Sequence, residues 1–438
     1  MEWSLALVLL VGTLLLMLGS GMPVAFAFLL INLAGFTYFI DAQAGANLLA
    51  LSIYDSLTKF SLIPVPLFIL MGEVMFHSGM AVRALDAVGF WLGRVPGRLS
   101  VLAGASGVMF AALSGSTMAN TAMLGTLLLP EMRRRGYSKE MSIGPIIGAG
   151  GLAMMIPPSA LAVLLGSLGH ISIGRLLVAI VPAGLLMGAL YLLYTIGRCW
   201  LQPGLAPAYE FEFAPLRVKV VALVRDVLPL GVIIFLVIGL MTLGLATPTE
   251  SAALGAVGTF GLAVYYRRFS WAMLWTSLLG TLNVTVMTFM ILSGSTGYSQ
   301  LLAFTGVTSG VVGSVMDMAL APLIVMIGMQ GVLLILGMFI DQVSMMLITL
   351  PLYMPIAAAL GWDPVWFGVI MLINLEVGLT TPPFGMLNFV MKGVAPPDVT
   401  IQDIWKAGFP YIVCDLVAMA LIIAFPAFVL WLPAMMVR

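Results

Sequence analysis

The fold class this sequence predicts is an all-α polytopic membrane protein. Of its 438 residues 62% are hydrophobic and only 8% are charged, and apolar runs of about 17 to 25 residues recur along the chain. Two apolar regions are interrupted by polar residues at membrane depth, which predicts two re-entrant hairpins. Two Pro-Pro pairs, at 157–158 and 382–383, predict two broken helices.

In chain order, spans are expected near 3–20, 22–40, 64–82, 141–170, 176–197, 227–246, 250–266, 286–302, 364–391 and 407–434. Met1-Glu2-Trp3 leads into the first without a basic n-region or cleavage site, which reads as a retained span. Segments 43–62 and 269–283 mix aromatic, charged and apolar residues and read as interfacial helices. The region 99–130 is broken at 114–121, and its arm from Thr121 to Pro130 is about half the length of a span. The region 321–356 is broken near Asp341-Gln-Val-Ser344. Each therefore reads as a hairpin that enters and leaves on one side. The polar, charged stretch from Arg198 to Asp226 reads as a linker.

Charge placement gives the orientation. The net charge is zero, so it points to no charged partner such as nucleic acid. With 83–98 and 131–140 in the cytoplasm, only Lys59, Arg175 and Arg438 of the 18 basic residues fall outside. Both termini are then external. The first hairpin enters from the cytoplasm beside Arg98 and Arg133 to Arg135, and the second from the opposite side beside Asp317 and Asp363. Cys199 and Cys414 read as packing residues, not a redox pair.

Opposed hairpins suggest inverted-topology repeats, and an offset of about 222 residues supports them. Asn120 and Pro130 match Asp341 and Pro351, Gly72 matches Gly294, and Pro157-Pro158 matches Pro382-Pro383. The expected division is 1–200 as repeat 1, 201–226 as a cytoplasmic linker and 227–438 as repeat 2. Spans 3–40 and 227–266 are then left as scaffold.

Proline has no N–H, so Pro157 and Pro158 leave the carbonyls of Ala153 and Met154 without helical donors. Pro382 and Pro383 do the same to Gly378 and Leu379. Gly148, Gly150 and Gly151 loosen the first break, and Thr380 and Thr381 add hydroxyls to the second. Free carbonyls in a bilayer suit a small hard cation, although a kink patched by Ser or Thr is the plainer alternative. Ser114, Ser116, Thr117 and Asn120 of one tip and Asp341 and Ser344 of the other supply further oxygens, and half-helix N-termini favour an anion. A cation site beside an anion site is the layout of a sodium-coupled carboxylate carrier. Close packing is the competing role for the hydroxyls.

Several motifs resemble a known family. Ser114-Gly-Ser-Thr-Met-Ala-Asn120, Pro130-Glu-Met, Arg133-Arg-Arg-Gly-Tyr137 and Met155-Ile-Pro-Pro-Ser159 are similar to the large membrane subunit of tripartite ATP-independent periplasmic (TRAP) transporters, the DctM family. So are Gly337-Met-Phe-Ile-Asp341 with Pro351, and Asn374-Leu-Glu-Val-Gly-Leu-Thr-Thr-Pro-Pro-Phe-Gly385. The resemblance covers essentially the whole chain. It implies an elevator-type carrier of the bacterial inner membrane that is sodium-coupled and not an enzyme. It also implies a separate four-helix membrane (Q) subunit and a periplasmic binding (P) protein that delivers an organic anion such as a C4-dicarboxylate or sialic acid. Ser116, Thr117, Asn120, Ser159 and Thr381 are the expected substrate ligands. Ser114, Asn120, Gly150, Ala153, Met154, Gly337, Asp341, Gly378 and Thr380 are the expected ligands of two Na+ ions.

Glu73, Glu376 and Asp415 lie at membrane depth, where a charge costs at least about 2.5 to 3.5 kcal/mol, so each is a functional candidate. Glu376 precedes the second Pro-Pro pair and is placed to tune the cation site there; Glu73 reads equally well as a protonated packing residue. His77 and His170, near span ends, are assigned no chemistry. An intramembrane serine protease lacks a well-placed base, whereas a stand-alone sodium/anion symporter shares the hairpin layout. A channel fits broken helices less well than alternating access does.

Overall fold

The computed structural model describes residues 2–207 and 215–436, without the side chains at 81, 82 and 112–114. Arg438, the middle of the expected linker and the side chain of Ser114, an expected cation ligand, therefore lie outside the described residues.

The first half runs through α1 (Trp3–Gly19), α2 (Val24–Phe39), α3 (Ala42–Leu57), α4 (Pro64–His77) and α5 (Met80–Trp91). An antiparallel pair follows, α6 (Arg98–Ser114) and α7 (Thr117–Arg134), then α8 (Lys139–Gly151), α9 (Ala160–Leu168) and α10 (Ile173–Leu201). In the second half α11 (Leu216–Ala222), α12 (Leu228–Ile234) and α13 (Leu240–Thr242) join through π-turns into one helical stretch. After it come α14 (Pro248–Tyr265), α15 (Trp271–Phe304), α16 (Val307–Asp317) and a second pair, α17 (Pro322–Gly337) and α18 (Gln342–Ala359). The chain closes with α19 (Pro364–Thr380), α20 (Met386–Val394), α21 (Ile401–Ala424) and α22 (Ala427–Ala434). Among the described residues there is no strand, and six helical stretches are long and apolar enough to cross a membrane.

Both broken helices form where proline removes the donors. α8 ends at Gly151, passes through a 3-10 turn at Leu152–Met154 and resumes as α9 beyond Pro157-Pro158. α19 ends at Thr380 and the chain re-enters helix at Met386, beyond Pro382-Pro383. Both Pro-Pro bonds are cis.

Four expectations need correction. The polar run 114–121 is not unwound along its length: only Gly115 and Ser116 leave the helix, and Gly115 takes the left-handed φ of +57° that ends α6. Segment 269–283 is not a separate interfacial helix but the start of the 34-residue α15, which contains no proline. At 1.5 Å per residue that helix is about 50 Å long, well beyond a bilayer core. The linker turns helical from Leu216, ten residues or so early. The last span is cut at Pro426, so α22 is a separate short helix.

Packing sorts the helices into two groups. In one, α2, α3 and α4 gather around α15, with α14 packed on α4 and α1 and α16 beside them. Gly294 and Gly297 of α15 let Phe28 and Asn32 of α2 approach, and the Asn32 amide donates to the Gly294 carbonyl at 2.6 Å. In the other, α8 lies at the centre of α6, α7 and α21, with α10, α19 and α20 also against it and α17 and α22 packed outside them on α19 and α10. Gly144 and Gly148, one turn apart on α8, leave room for Tyr411, whose hydroxyl meets Thr195 Oγ1 at 2.8 Å. The hairpin partners cross over: α7 packs on α20 beyond the second break, and α18 touches α9 beyond the first.

Candidate substrate and cation site

A cavity of about 490 Å³ lies at the seam between the two groups. One wall is α4 and α15, including Phe68, Glu73, His77, Met287 and Thr288. The other is built from three helix ends: Ser116 to Ala119 at the start of α7, Ser159 and Ala160 at the start of α9, and Gln342 and Val343 at the start of α18. Each of these starts is capped. Ser116 Oγ accepts from the Ala119 N–H and Ser159 Oγ from the Ala162 N–H, both at 3.3 Å. Asp341 accepts from the N–H groups of Val343 and Ser344 at 3.0 and 3.1 Å, and from the Ser344 hydroxyl.

Of the expected substrate ligands, Ser116, Thr117 and Ser159 line this cavity. Asn120 and Thr381 do not. Asn120 is fully buried one turn behind the tip, where its amide donates to the carbonyls of Gly107 at 3.3 Å and Ala149 at 3.0 Å. Its Oδ1 is buried without a protein partner among the described residues. The Thr381 hydroxyl turns back to the Val377 carbonyl at 2.6 Å, satisfying its own helix end.

The expected cation ligands fall into two clusters. At the first, the tip of α6 and α7 closes on the first break: a Cβ on Gly115 would stand 3.0 Å from the Pro158 carbonyl, and one on Gly150 would strike Thr121 Oγ1. Ala153 and Met154 are buried in the 3-10 turn there. At the second, Gly337 and Gly378 bring α17 and α19 into backbone contact, so that a Cβ on Gly337 would stand 2.6 Å from the Gly378 Cα. The Thr380 hydroxyl donates to the Val377 carbonyl at 3.0 Å, while its own carbonyl accepts from the Asn388 amide at 2.8 Å. Asp341 stands at the start of α18, where both carboxylate oxygens accept hydrogen bonds in capping that helix.

The sequence places Glu376 six residues before the second Pro-Pro pair. It lies against the first break, where a Cβ on Gly151 would strike its Oε1, and both carboxylate oxygens lack a hydrogen-bond partner among the described residues. Asp415 is buried and accepts a hydrogen bond from the Tyr191 hydroxyl. Glu73 and His77, left without a firm role by the sequence, both reach the cavity, joined at 3.1 Å. Their spacing of four on one apolar helix was the available signal. Gln342, Asn388 and the pair in which Asn374 Nδ2 donates to Gln330 Oε1 at 2.9 Å were missed; a polar amide inside an apolar helix was the only cue.

The family profile described as "Tripartite ATP-independent periplasmic transporter, DctM component" matches residues 11–428. The chain is similar to the C4-dicarboxylate TRAP transporter large permease protein DctM of Pseudomonas aeruginosa, 30% identical and covering 88% of this chain and 89% of that one. It is 30% identical to the 2,3-diketo-L-gulonate TRAP transporter large permease protein YiaN of Escherichia coli, covering 96% of each. It is 29% identical to the isethionate TRAP transporter permease protein DctMQ of Oleidesulfovibrio alaskensis, covering 95% of this chain but 64% of that one. In fold it is similar to the YdaH transporter of Alcanivorax borkumensis, with a TM-score of 0.61 over 89% of this chain and 91% of that one at 16% identity. The chain therefore belongs to the DctM family of tripartite ATP-independent periplasmic transporters: it is a multi-pass transport permease and not an enzyme.

Proposed function

We propose that this chain is the permease of a sodium-driven carrier that takes up an organic anion handed over by a periplasmic binding protein. One observation carries the reading: the N-termini of α7, α9 and α18 open into a single cavity that, among the described residues, no lysine or arginine lines. Free N–H groups and the positive ends of helix dipoles suit a carboxylate without a basic side chain. The relatives are named for C4-dicarboxylate, 2,3-diketo-L-gulonate and isethionate, all organic anions, which supports the class.

Sodium binds at two sites in this reading. The first uses Asn120 Oδ1 with backbone oxygens around Gly150, Ala153 and Met154. The second uses Gly337, Gly378 and Thr380, with Asp341 acting through the cap of α18. Support comes from the buried, unpartnered Asn120 oxygen and from the four prolines that have no N–H to offer these carbonyls.

The two hairpins are re-entrant, enter from opposite faces and belong to inverted repeats 1–200 and 227–438 on either side of a cytoplasmic linker. Both termini face the periplasm across a bacterial inner membrane. The helix group around α15 is the fixed scaffold, and the group around α8 slides past it as an elevator, carrying substrate at the seam. Arg134 and Asp317 are both exposed, so cysteines placed there in a background without Cys199 and Cys414 are expected to label from the cytoplasmic and periplasmic sides respectively. Labelling of both from one side would refute the topology.

A small membrane (Q) subunit covers the outer face of the stretch Leu216–Thr242, where Leu216, Leu228, Val232 and Phe235 are exposed. The relative named DctMQ extends well beyond the region that this chain covers, which supports such a partner over lipid alone. Purified chain in liposomes is therefore expected to move substrate at under about a tenth of the rate seen with the Q subunit and the binding (P) protein present. Equal rates would favour a stand-alone symporter. Ser116→Ala and Ser159→Ala are expected to weaken uptake of the substrate by about tenfold each, as loss of a cap and a hydroxyl contact at the cavity wall.

A further inference from the structure

The cavity is asymmetric in charge. Its anion-favouring wall is formed by three helix N-termini, but the wall formed by α4 and α15 carries Glu73 and His77, the only two titratable side chains lining it among the described residues. Glu73 Oε2 and His77 Nε2 lie 3.1 Å apart with the two side chains 26% and 30% exposed, so both are half-open to whatever fills the space. Gly280 of α15 makes room for the carboxylate: a Cβ there would stand 2.6 Å from Glu73 Oε2. A carboxyl group at this wall, with no lysine or arginine beside it among the described residues, offers a second carboxylate no partner. What the Glu73 oxygens can accept is a proton donor.

The geometry points to a substrate that is a monocarboxylate bearing a hydroxyl or ammonium group at its far end, selected against the matching dicarboxylate by Glu73. The carboxylate lies at the N-terminal wall, the donor lies on Glu73, and His77 holds the Glu73 carboxylate in place. This rests on the cavity being the substrate site, as proposed above.

The test is thermal stabilisation of the purified complex of this chain with its membrane subunit in sodium-containing nanodiscs. The probes share chain length: 4-hydroxybutyrate, 4-aminobutyrate and succinate at four carbons, and gluconate and glucarate at six. The wild type is expected to bind a donor-bearing monoacid at least about tenfold more tightly than the diacid of its length. Glu73→Gln is expected to bring the pairs within about threefold, and Glu73→Lys to invert the preference. Ser116→Ala is expected to weaken both members of a pair equally. Succinate or glucarate binding as tightly as its partner in the wild type, stabilisation by none of the monoacids, or an unchanged ratio in Glu73→Gln would overturn the inference. If Ser116→Ala weakens every probe while Glu73→Gln leaves the ratios alone, the cavity is the site and the selectivity claim is wrong. If neither Ser116→Ala nor Ser159→Ala changes any affinity, the cavity itself is not the site.

Discussion

Gly337→Ala is expected to abolish uptake and to lower the melting temperature of the purified permease. The added methyl would stand 2.6 Å from the Gly378 Cα, a backbone atom that cannot swing aside as a side-chain tip can. Over-packing of this kind costs about 1 to 3 kcal/mol. Relief would have to come from moving α17 away from α19, which opens the contact that holds the second hairpin on the second break. Gly378→Ala meets the same obstacle from the other side, at 2.9 Å from the Gly337 Cα, and is expected to behave alike. Gly328→Ala is the control on the same helix: nothing lies within 4 Å of its added Cβ, so uptake and melting temperature are expected to stay close to wild type. Wild-type uptake by Gly337→Ala would mean that this contact does not persist in the transporting protein.

Asn120→Ala is expected to raise the sodium concentration needed for half-maximal uptake by about tenfold or more while the protein still inserts. Its side chain ties the α6 carbonyl of Gly107 to the α8 carbonyl of Ala149, and its buried Oδ1 is one of the oxygens assigned to sodium. Removal takes one donor from each of two buried carbonyls, at about 0.5 to 1.5 kcal/mol for each hydrogen bond, and takes away the oxygen as well. Thr126→Ala, at an exposed position of the same helix whose hydroxyl bonds only its own Ala122 carbonyl, is expected to leave the sodium dependence unchanged. An unaltered sodium requirement in Asn120→Ala would remove this residue from the cation site.

Elements governed by local chemistry were legible in the sequence. The prolines at 157–158 and 382–383 stop their helices whatever surrounds them, and Gly115-Ser116 supplies a left-handed residue followed by an N-cap, so both breaks and the first tip stand close to where their residues place them. Length and hydropathy located α1, α2, α10 and α14 for the same local reason. What stayed hidden depends on distant parts of the chain. Polar and aromatic residues at 269–283 look interfacial, yet with no proline between Trp271 and Phe304 they continue straight through α15. Glu376 is close in sequence to the second break but faces Gly151 of the first, because α19 packs beside α8 across the two halves. Asp341 reads as a cation ligand by composition, and the same carboxylate is the natural cap of the helix that begins one residue later. That Glu73 lines a cavity depends on α15 and the three helix ends that close around it.

Sodium coupling through the two breaks is the centre of this account, and initial uptake rates in proteoliposomes test it most directly. The complete assembly of this chain, its membrane subunit and the binding protein would be given an inward sodium gradient at symmetric pH, and separately an inward proton gradient in sodium-free buffer. Uptake that follows the sodium gradient, is absent on the proton gradient alone, shifts to higher sodium in Asn120→Ala and is lost in Gly378→Ala is the predicted result. Full uptake on the proton gradient without sodium would contradict it.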